Sequence, residues 1–401
     1  MAYSLGITLV AAYFLWSLYA LVRNILLAKS IGIPVVWSPV SAENPVWLAC
    51  NKTLVPYLQK LPFGLGDWTD HGTLDWTWKD RLNGAQMHTK YGKLFAHATP
   101  GKLEIFTVDA AISDQVLTKK REFPKPFEVA QILDVYGPSL GSVDDENWAR
   151  HRKITAGSFA DKNNRLVWRE SVRQAKQMAE LAAREPATRS VTKDTLTLSI
   201  HVLTSAAFGI EYDFRSSSEE IIPEGHQRSY RQCLQAVLHD VLILLIVPKF
   251  IYSLPLLPQK LADFRDASRE FKQYMVESVE ACKHAVASGT VKGSNLLVSL
   301  VEKNEEARSI IEAGGPTSGK GLKGLRDDEL YGNLFVYSFG GHETTAHTLS
   351  YAIYLLAAFP NVQDWLVEEL KAVSCDLSAD AAFDEAFLQL KRCLAVMVSR
   401  T

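Results

Sequence analysis

From Arg326 to Phe359 the chain runs RDDELYGNLFVYSFGGHETTAHTLSYAIYLLAAF and then meets Pro360. Asp327, Asp328 and Glu329 fall in the first turn, where acidic groups complement the helix dipole, and the proline closes the run. At 1.5 Å per residue such a helix is about 50 Å long. The fold must therefore be arranged around one helix that crosses the whole domain. Midway sit Gly340, Gly341, His342, Glu343, Thr344 and Thr345. Each glycine inside a helix costs roughly 1 kcal/mol against alanine, so two together want a reason. Missing side chains let another group approach the backbone, and a carboxylate beside two hydroxyls offers a proton-delivery pair at that gap. A helix kink with Glu343 paired to an arginine accounts for the same residues equally well.

The N-terminus adds a second constraint. Residues 1–22, MAYSLGITLVAAYFLWSLYALV, carry no charge, and as a helix they match a hydrocarbon thickness of ~30 Å. This predicts a transmembrane anchor rather than a cleaved signal peptide, which has a basic start and a shorter apolar stretch. Arg23 and Lys29 follow the run and nothing basic precedes it, which places the downstream chain in the cytosol. Five scattered cysteines, Cys50, Cys233, Cys282, Cys375 and Cys393, form no CxxC pair and fit the same reducing compartment. A net charge of -2 excludes the basic excess expected of a nucleic-acid binder.

Between anchor and long helix the pattern predicts a mainly α protein. Pro34 and Pro39 stiffen a hinge at 23–41. A helix is expected from about Ala42 to Leu61, then a hairpin of strands Lys93 to His97 and Lys102 to Val108 around the Pro100-Gly101 turn. Helical periods follow near 110–120, 146–159, 163–184, 191–208, 224–246, 258–288 and 292–304. The Gly-rich segment 314–325 reads as a surface loop; Gly319-Lys320 is followed by Gly321, so it fails the phosphate-loop pattern. The apolar run Val241 to Val247 is too short to span a bilayer and reads as core, with a membrane-dipping segment as the alternative.

Trp148-Ala-Arg-His-Arg152 puts an indole donor and a guanidinium four residues apart on one helix face, able to meet one anionic partner. Taken alone, a solvated basic face is the commoner reading of such a stretch. The pair stands upstream of GGHETT, and together the two motifs resemble the cytochrome P-450 family in its fungal microsomal type. Lys90-Tyr91-Gly92, Phe123-Pro124-Lys125-Pro126 and the stretch Gln363 to Leu370 agree with the family's order.

The resemblance implies a haem-dependent monooxygenase that inserts one atom of dioxygen into a small lipophilic, specialised metabolite. Electrons would come from NADPH-cytochrome P-450 reductase. It implies that Trp148 and Arg152 bind a haem propionate, that Gly340 and Gly341 make room for haem and dioxygen, and that Thr344, flanked by Thr345, holds the oxygen. Glu343 would relay protons and His342 would face away as a structural residue. The implied home is the endoplasmic reticulum membrane, spanned once, with the globular part cytosolic.

The resemblance also implies elements that are not seen. After Phe387-Leu-Gln-Leu-Lys-Arg-Cys-Leu-Ala-Val-Met397 the family continues into Glu-x-x-Arg and then a Phe-x-x-Gly-x-Arg-x-Cys-x-Gly loop carrying the haem thiolate, whereas this chain reads Val398-Ser-Arg-Thr401. The expected organisation is an anchor at 1–22, the hinge at 23–41, an incomplete P-450 domain at 42–397 and an aberrant tail at 398–401, short of the family by roughly its final fifth. No cysteine carries over as axial ligand; Cys393 reads as a core or surface thiol. Glu170 to Arg173 and Glu305 to Arg308 repeat Glu-x-x-Arg but precede the long helix and read as chance surface pairs. Two rival readings stand beside the monooxygenase. One is a non-catalytic truncated product; the other is an unrelated membrane-anchored helical binding protein.

Overall fold

The hairpin predicted around Pro100-Gly101 is joined by one strand more than the sequence suggested. β2 (Leu94–Ala98) pairs antiparallel with β3 (Leu103–Thr107), with Phe95 opposite Phe106, and the two rings stack with centroids 5.6 Å apart. β1 (Val35–Trp37) then adds parallel to β2, Val35 opposite Ala96. Three residues are too few to show alternation, so the flanking prolines of the expected hinge concealed a strand. Pro34 itself takes part, since its carbonyl accepts from the Ala96 amide at 2.8 Å.

The computed structural model describes residues 2–126, 130, 133–159, 161–184, 190–214, 222–240, 247, 251–252, 257–290, 295–312, 324–373 and 382–398. Contacts divide the chain into two units, Met1–Pro124 and Lys125–Thr401. Most of the Gly-rich segment 314–325, the apolar run but for Val247, Cys375 and the tail from 399 onward lie outside the described residues.

In the first unit α1 (Ala2–Ile31) extends past the expected anchor. Its last turns are tied to the sheet: Asn24 is buried and donates to the Thr99 carbonyl at 2.8 Å, and Ala28 is fully buried. Ile7, Phe14, Leu15 and Trp16 stay exposed. Among the described residues, Gly6–Ile31 is the one helical stretch long and apolar enough to cross a membrane, with a mean hydropathy of 1.5. α2 (Pro45–Leu58) starts at Asn44, whose side chain accepts from the Val46 and Trp47 amides. α3 (Trp76–Leu82), α4 (Gln86–Tyr91) and α5 (Ala110–Thr118) complete the unit.

The second unit is helical throughout its described residues. α6 (Asp145–Ala156), α7 (Asp161–Arg184), α8 (Val191–Phe208), α9 (Tyr230–His239), α10 (Gln259–Ala287) and α11 (Leu296–Glu312) precede the long α12 (Asp327–Ala358), and α13 (Pro360–Ala372), α14 (Ala382–Ala386) and α15 (Lys391–Val398) follow. The core joins Leu234 of α9, Phe271 and Met275 of α10, Leu300 of α11 and Leu334 and Phe335 of α12. Burying each such side chain contributes about 2 kcal/mol. α8 lies along α12, with Leu203 against Gly341.

Two glycines allow a backbone-to-backbone crossing at the start of α12. A Cβ on Gly332 would stand 2.3 Å from the Gly137 carbonyl oxygen and 2.5 Å from that of Pro138. Gly137 has a φ of +145°, and a Cβ there would stand 2.1 Å from the Asp328 carbonyl oxygen. The 136–140 connection therefore rests directly on the helix backbone.

Glu170 and Arg173 are not the chance surface pair that their position in the sequence suggests. Glu170 is 3% exposed and takes a bidentate grip from Arg173 at 2.8 and 2.7 Å. Gln174 donates to the same carboxylate at 2.8 Å and accepts from His201 at 3.0 Å. This Glu-x-x-Arg is a buried brace between α7 and α8, because an amphipathic helix long enough to span the unit carries its polar residues inward wherever partners meet them. Glu305 and Arg308 do form a surface pair.

Two predictions follow from this packing. Gly332→Ala should cost roughly 3 kcal/mol or more, read as a lowered urea midpoint, because the clash is with backbone carbonyls that cannot swing away. His201 supplies the second: burial first, then the Arg231 and Arg173 charges, push its pKa from 6.5 down to about 3. The folded state thus holds the neutral ring while the unfolded chain takes up a proton below about 6.5. Stability should be full above that pH and fall progressively as pH drops from about 6.5 toward about 3; His201→Gln should flatten that slope whatever its stability at neutral pH.

Candidate functional site

Glu329, Asn333, Tyr337, Gly340, Thr344 and Thr348 recur along α12 at intervals of four, four, three, four and four, and so share one face. Its first half is covered by α6. Arg150 grips the Glu329 carboxylate with both terminal nitrogens, Nη2 to Oε1 at 2.6 Å and Nη1 to Oε2 at 2.8 Å. The Arg326 amide donates to Oε2 at 2.8 Å. Burial pushes the Glu329 carboxyl up, but the hydrogen bonds from Arg150, His151 and the Arg326 backbone, with the Arg150 charge, outweigh it and hold the group well below the usual carboxylate range.

Asn333 is fully buried and bonds on both sides of its amide. Oδ1 accepts from the Leu140 amide at 2.8 Å, and Nδ2 donates to the Glu329 carbonyl at 2.6 Å and to His151 Nδ1 at 2.9 Å. An accepting Nδ1 leaves the imidazole proton on Nε2, which stands 3.5 Å from Glu329 Oε1. One carboxylate and one amide therefore tie α6, the 136–140 connection and α12 together.

Beyond this point the face opens. Tyr337 packs edge-on against Phe159 at 5.1 Å and lies within range of the Arg152 charge, which opposes the upward push of burial on its hydroxyl. Three residues further, about 4.5 Å along the axis, Gly340 is exposed, and a Cβ there would meet nothing within 4 Å. Thr344 is exposed and its Oγ1 donates to the Gly340 carbonyl at 2.6 Å; Thr345 is exposed too. Gly341 faces Leu203 of α8, whose Cδ1 would be 3.3 Å from an added Cβ.

α12 runs through the glycine pair without a break, and Glu343 makes no hydrogen bond or ion pair among the described residues, so the kinked-helix explanation fails on both counts. His342 turns away from the open face and is buried; burial pushes its pKa down. Trp148 and Arg152 lie on the edge of α6 beside its buried face. Trp148 is half-buried, while Arg152 is exposed and makes no hydrogen bond or ion pair among the described residues.

A flat ring system carrying carboxylates is compatible with the open backbone at Gly340 and with the guanidinium fork of Arg152, whose charge reaches Tyr337 one turn before that glycine. No cysteine in the sequence stands in the family's Phe-x-x-Gly-x-Arg-x-Cys-x-Gly pattern, so none is marked as an axial thiolate. Burial pushes Cys233 up to about 12 and Cys282 to about 11, and burial with the Glu369 charge raises Cys393; such thiols resist ionisation. Among the described residues no His, Cys, Asp and Glu cluster suits a metal ion.

Sequence reasoning named Trp148, Arg152, Gly340, Gly341, Glu343, Thr344 and Thr345 and did not name Arg150, His151, Glu329 or Asn333, which the structure brings together. The signal available was a polar residue one turn after Glu329 on an otherwise apolar helix.

Replacing Glu329 by glutamine should destabilise the fold by roughly 3 kcal/mol, since Arg150 is left without its counter-charge. Because the folded pKa is depressed, the contribution of Glu329 is full above about 4.5, its ordinary value, and is lost as pH falls toward the folded one. Glu329→Gln should therefore remove the part of acid unfolding that begins near that pH.

The family model for cytochrome P450 matches residues 74–381. A cytochrome P450 monooxygenase of Arthrobotrys oligospora is 27% identical over 99% of this chain and 68% of its own length. One from Penicillium roqueforti is 28% identical over 93% of this chain and 64% of its own length. A zebrafish cytochrome P450 structure with progesterone superposes with a TM-score of 0.58 at 18% identity, covering 79% of this chain and 69% of that one. The chain thus spans about two thirds of the length of these relatives, less than the four fifths implied by the sequence motifs. With the match running through both motifs and the helical architecture shared, the chain belongs to the cytochrome P450 family.

Proposed function

We propose that these residues form the distal wall and propionate clamp of a membrane-anchored haem monooxygenase acting on a small lipophilic metabolite. The observation that carries the reading is the division of the α12 face, clamped through Asn333 and open from Gly340, with the unpaired Arg152 where the change occurs. Arg152 and Trp148 would donate to the propionates. Gly340 would admit the ring edge, and Gly341 would keep α8 close behind it. The Thr344 hydroxyl, already spending its proton on the Gly340 carbonyl, has its lone pairs free to accept a hydrogen bond on the open side, and Glu343 is placed one residue away to exchange protons. Bound haem would supply the oxidising chemistry, with dioxygen as oxidant and electrons from an NADPH-dependent reductase.

No cysteine of the 401-residue chain stands in the family's Phe-x-x-Gly-x-Arg-x-Cys-x-Gly pattern, which supports a second part of the proposal: none of these cysteines serves as the axial thiolate. The charge-free run 1–22 would cross the endoplasmic reticulum membrane, with Arg23 at the cytosolic interface. Past Arg23 the helix end and β1 belong to the folded part rather than to a free hinge, since Asn24 is bonded to Thr99 and Val35 pairs with Ala96.

Protoporphyrin IX, which carries both propionates and needs no axial ligand, tests the clamp. Arg152→Ala should weaken its binding about tenfold, the loss of one charge-assisted contact, with stability changed by less than about 0.5 kcal/mol. Gly340→Ala should stabilise α12 by up to about 1 kcal/mol and still weaken porphyrin binding. Wild-type affinity in both variants would refute the assignment.

A further inference from the structure

Trp148 and Arg152 stand on α6, while Gly340 and Thr344 stand on α12. A rigid planar ligand that touches both helices needs their relative placement fixed to a fraction of an ångström. Hydrophobic packing alone sets such placement loosely, because apolar contacts are non-directional. Among the described residues, directional contacts between these helices converge on two α12 residues, Glu329 and Asn333. Arg150 makes a two-pronged grip on Glu329, a geometry that fixes orientation as well as distance. His151 meets Asn333 at 2.9 Å. Asn333 also holds Leu140, so the connection entering α6 is tied to the same residue as the helix itself.

Three features mark this group as more than general support. Glu329 and Asn333 share the α12 face that carries Gly340 and Thr344. Arg150 and His151 are interleaved with Trp148 and Arg152 within five residues. The two arginines of the motif also divide the labour: Arg150 is consumed internally, while Arg152 is free.

We infer that Arg150, His151, Glu329 and Asn333 are positioning residues that set the register of the Trp148–Arg152 edge against the open Gly340–Thr344 turn. Anion binding at Arg152 then depends on residues that do not touch the ligand. This rests on the porphyrin-binding reading above and adds the source of its geometry.

The test combines a ligand-free readout with binding. Amide hydrogen exchange across 145–156 is measured in the full chain without porphyrin, and protoporphyrin IX affinity is measured in parallel, for wild type, Glu329→Gln, Arg150→Lys and Arg152→Ala. Arg150→Lys keeps the charge and loses the fork, so it stays informative if Glu329→Gln folds poorly. The expected result is at least tenfold faster exchange across 145–156 in the first two variants, severalfold weaker porphyrin binding in both, and recovery of protection when porphyrin is saturating. Arg152→Ala should weaken binding with exchange unchanged.

Unchanged exchange in Glu329→Gln and Arg150→Lys would overturn the inference. So would faster exchange with wild-type porphyrin affinity, which would make the group a structural brace only. Porphyrin binding that is absent from wild type, or insensitive to Arg152→Ala, would instead refute the reading of the Arg152 edge on which this inference stands.

Discussion

A carboxylate at 2% exposure keeps its charge only if cations and donors replace the water it has lost. Glu329 meets that condition with Arg150, His151 and the Arg326 amide, and much of the second unit follows from how they reach it. Arg150 and His151 can both do so only if α6 lies across the first turns of α12. Asn333, one turn on, then closes the gap to Leu140. That approach in turn requires the 136–140 connection to touch the helix backbone, which Gly137 and Gly332 permit. Ion pair, amide and glycines are one arrangement.

The same residue type serves opposite ends along this helix. Gly332 is filled to contact by neighbouring carbonyls, whereas Gly340 has open space where its side chain would be. Helix propensity charges both positions equally; only the surroundings tell them apart. The stripe from Glu329 to Thr348 therefore changes character near Tyr337, from a face bound to protein to a face turned outward. The free guanidinium of Arg152 stands at that change.

Much of this was legible in the sequence, for identifiable reasons. Long periodic segments such as 191–208 and the α12 run declare themselves through many residues, and GGHETT and WARHR combine residue types with spacings that few other arrangements share. β1 was missed because three residues cannot display a period. The Glu170–Arg173 brace was taken for a surface pair because burial is a property of partners distant in sequence, here Tyr212 and His201. Arg150 and Glu329, 179 positions apart, were hidden for the same reason. Local pattern gave each helix its face, and only the assembled unit shows which face meets which.

The central proposal is that these residues provide the distal side of a haem pocket and that none of their own cysteines supplies its thiolate. A reduced carbon-monoxide difference spectrum tests it directly, on membranes carrying the 401-residue chain and on membranes carrying a version whose reading frame continues into a thiolate loop. The account predicts the Soret band of thiolate-ligated haem in the extended version alone. The same band from the 401-residue chain would contradict it.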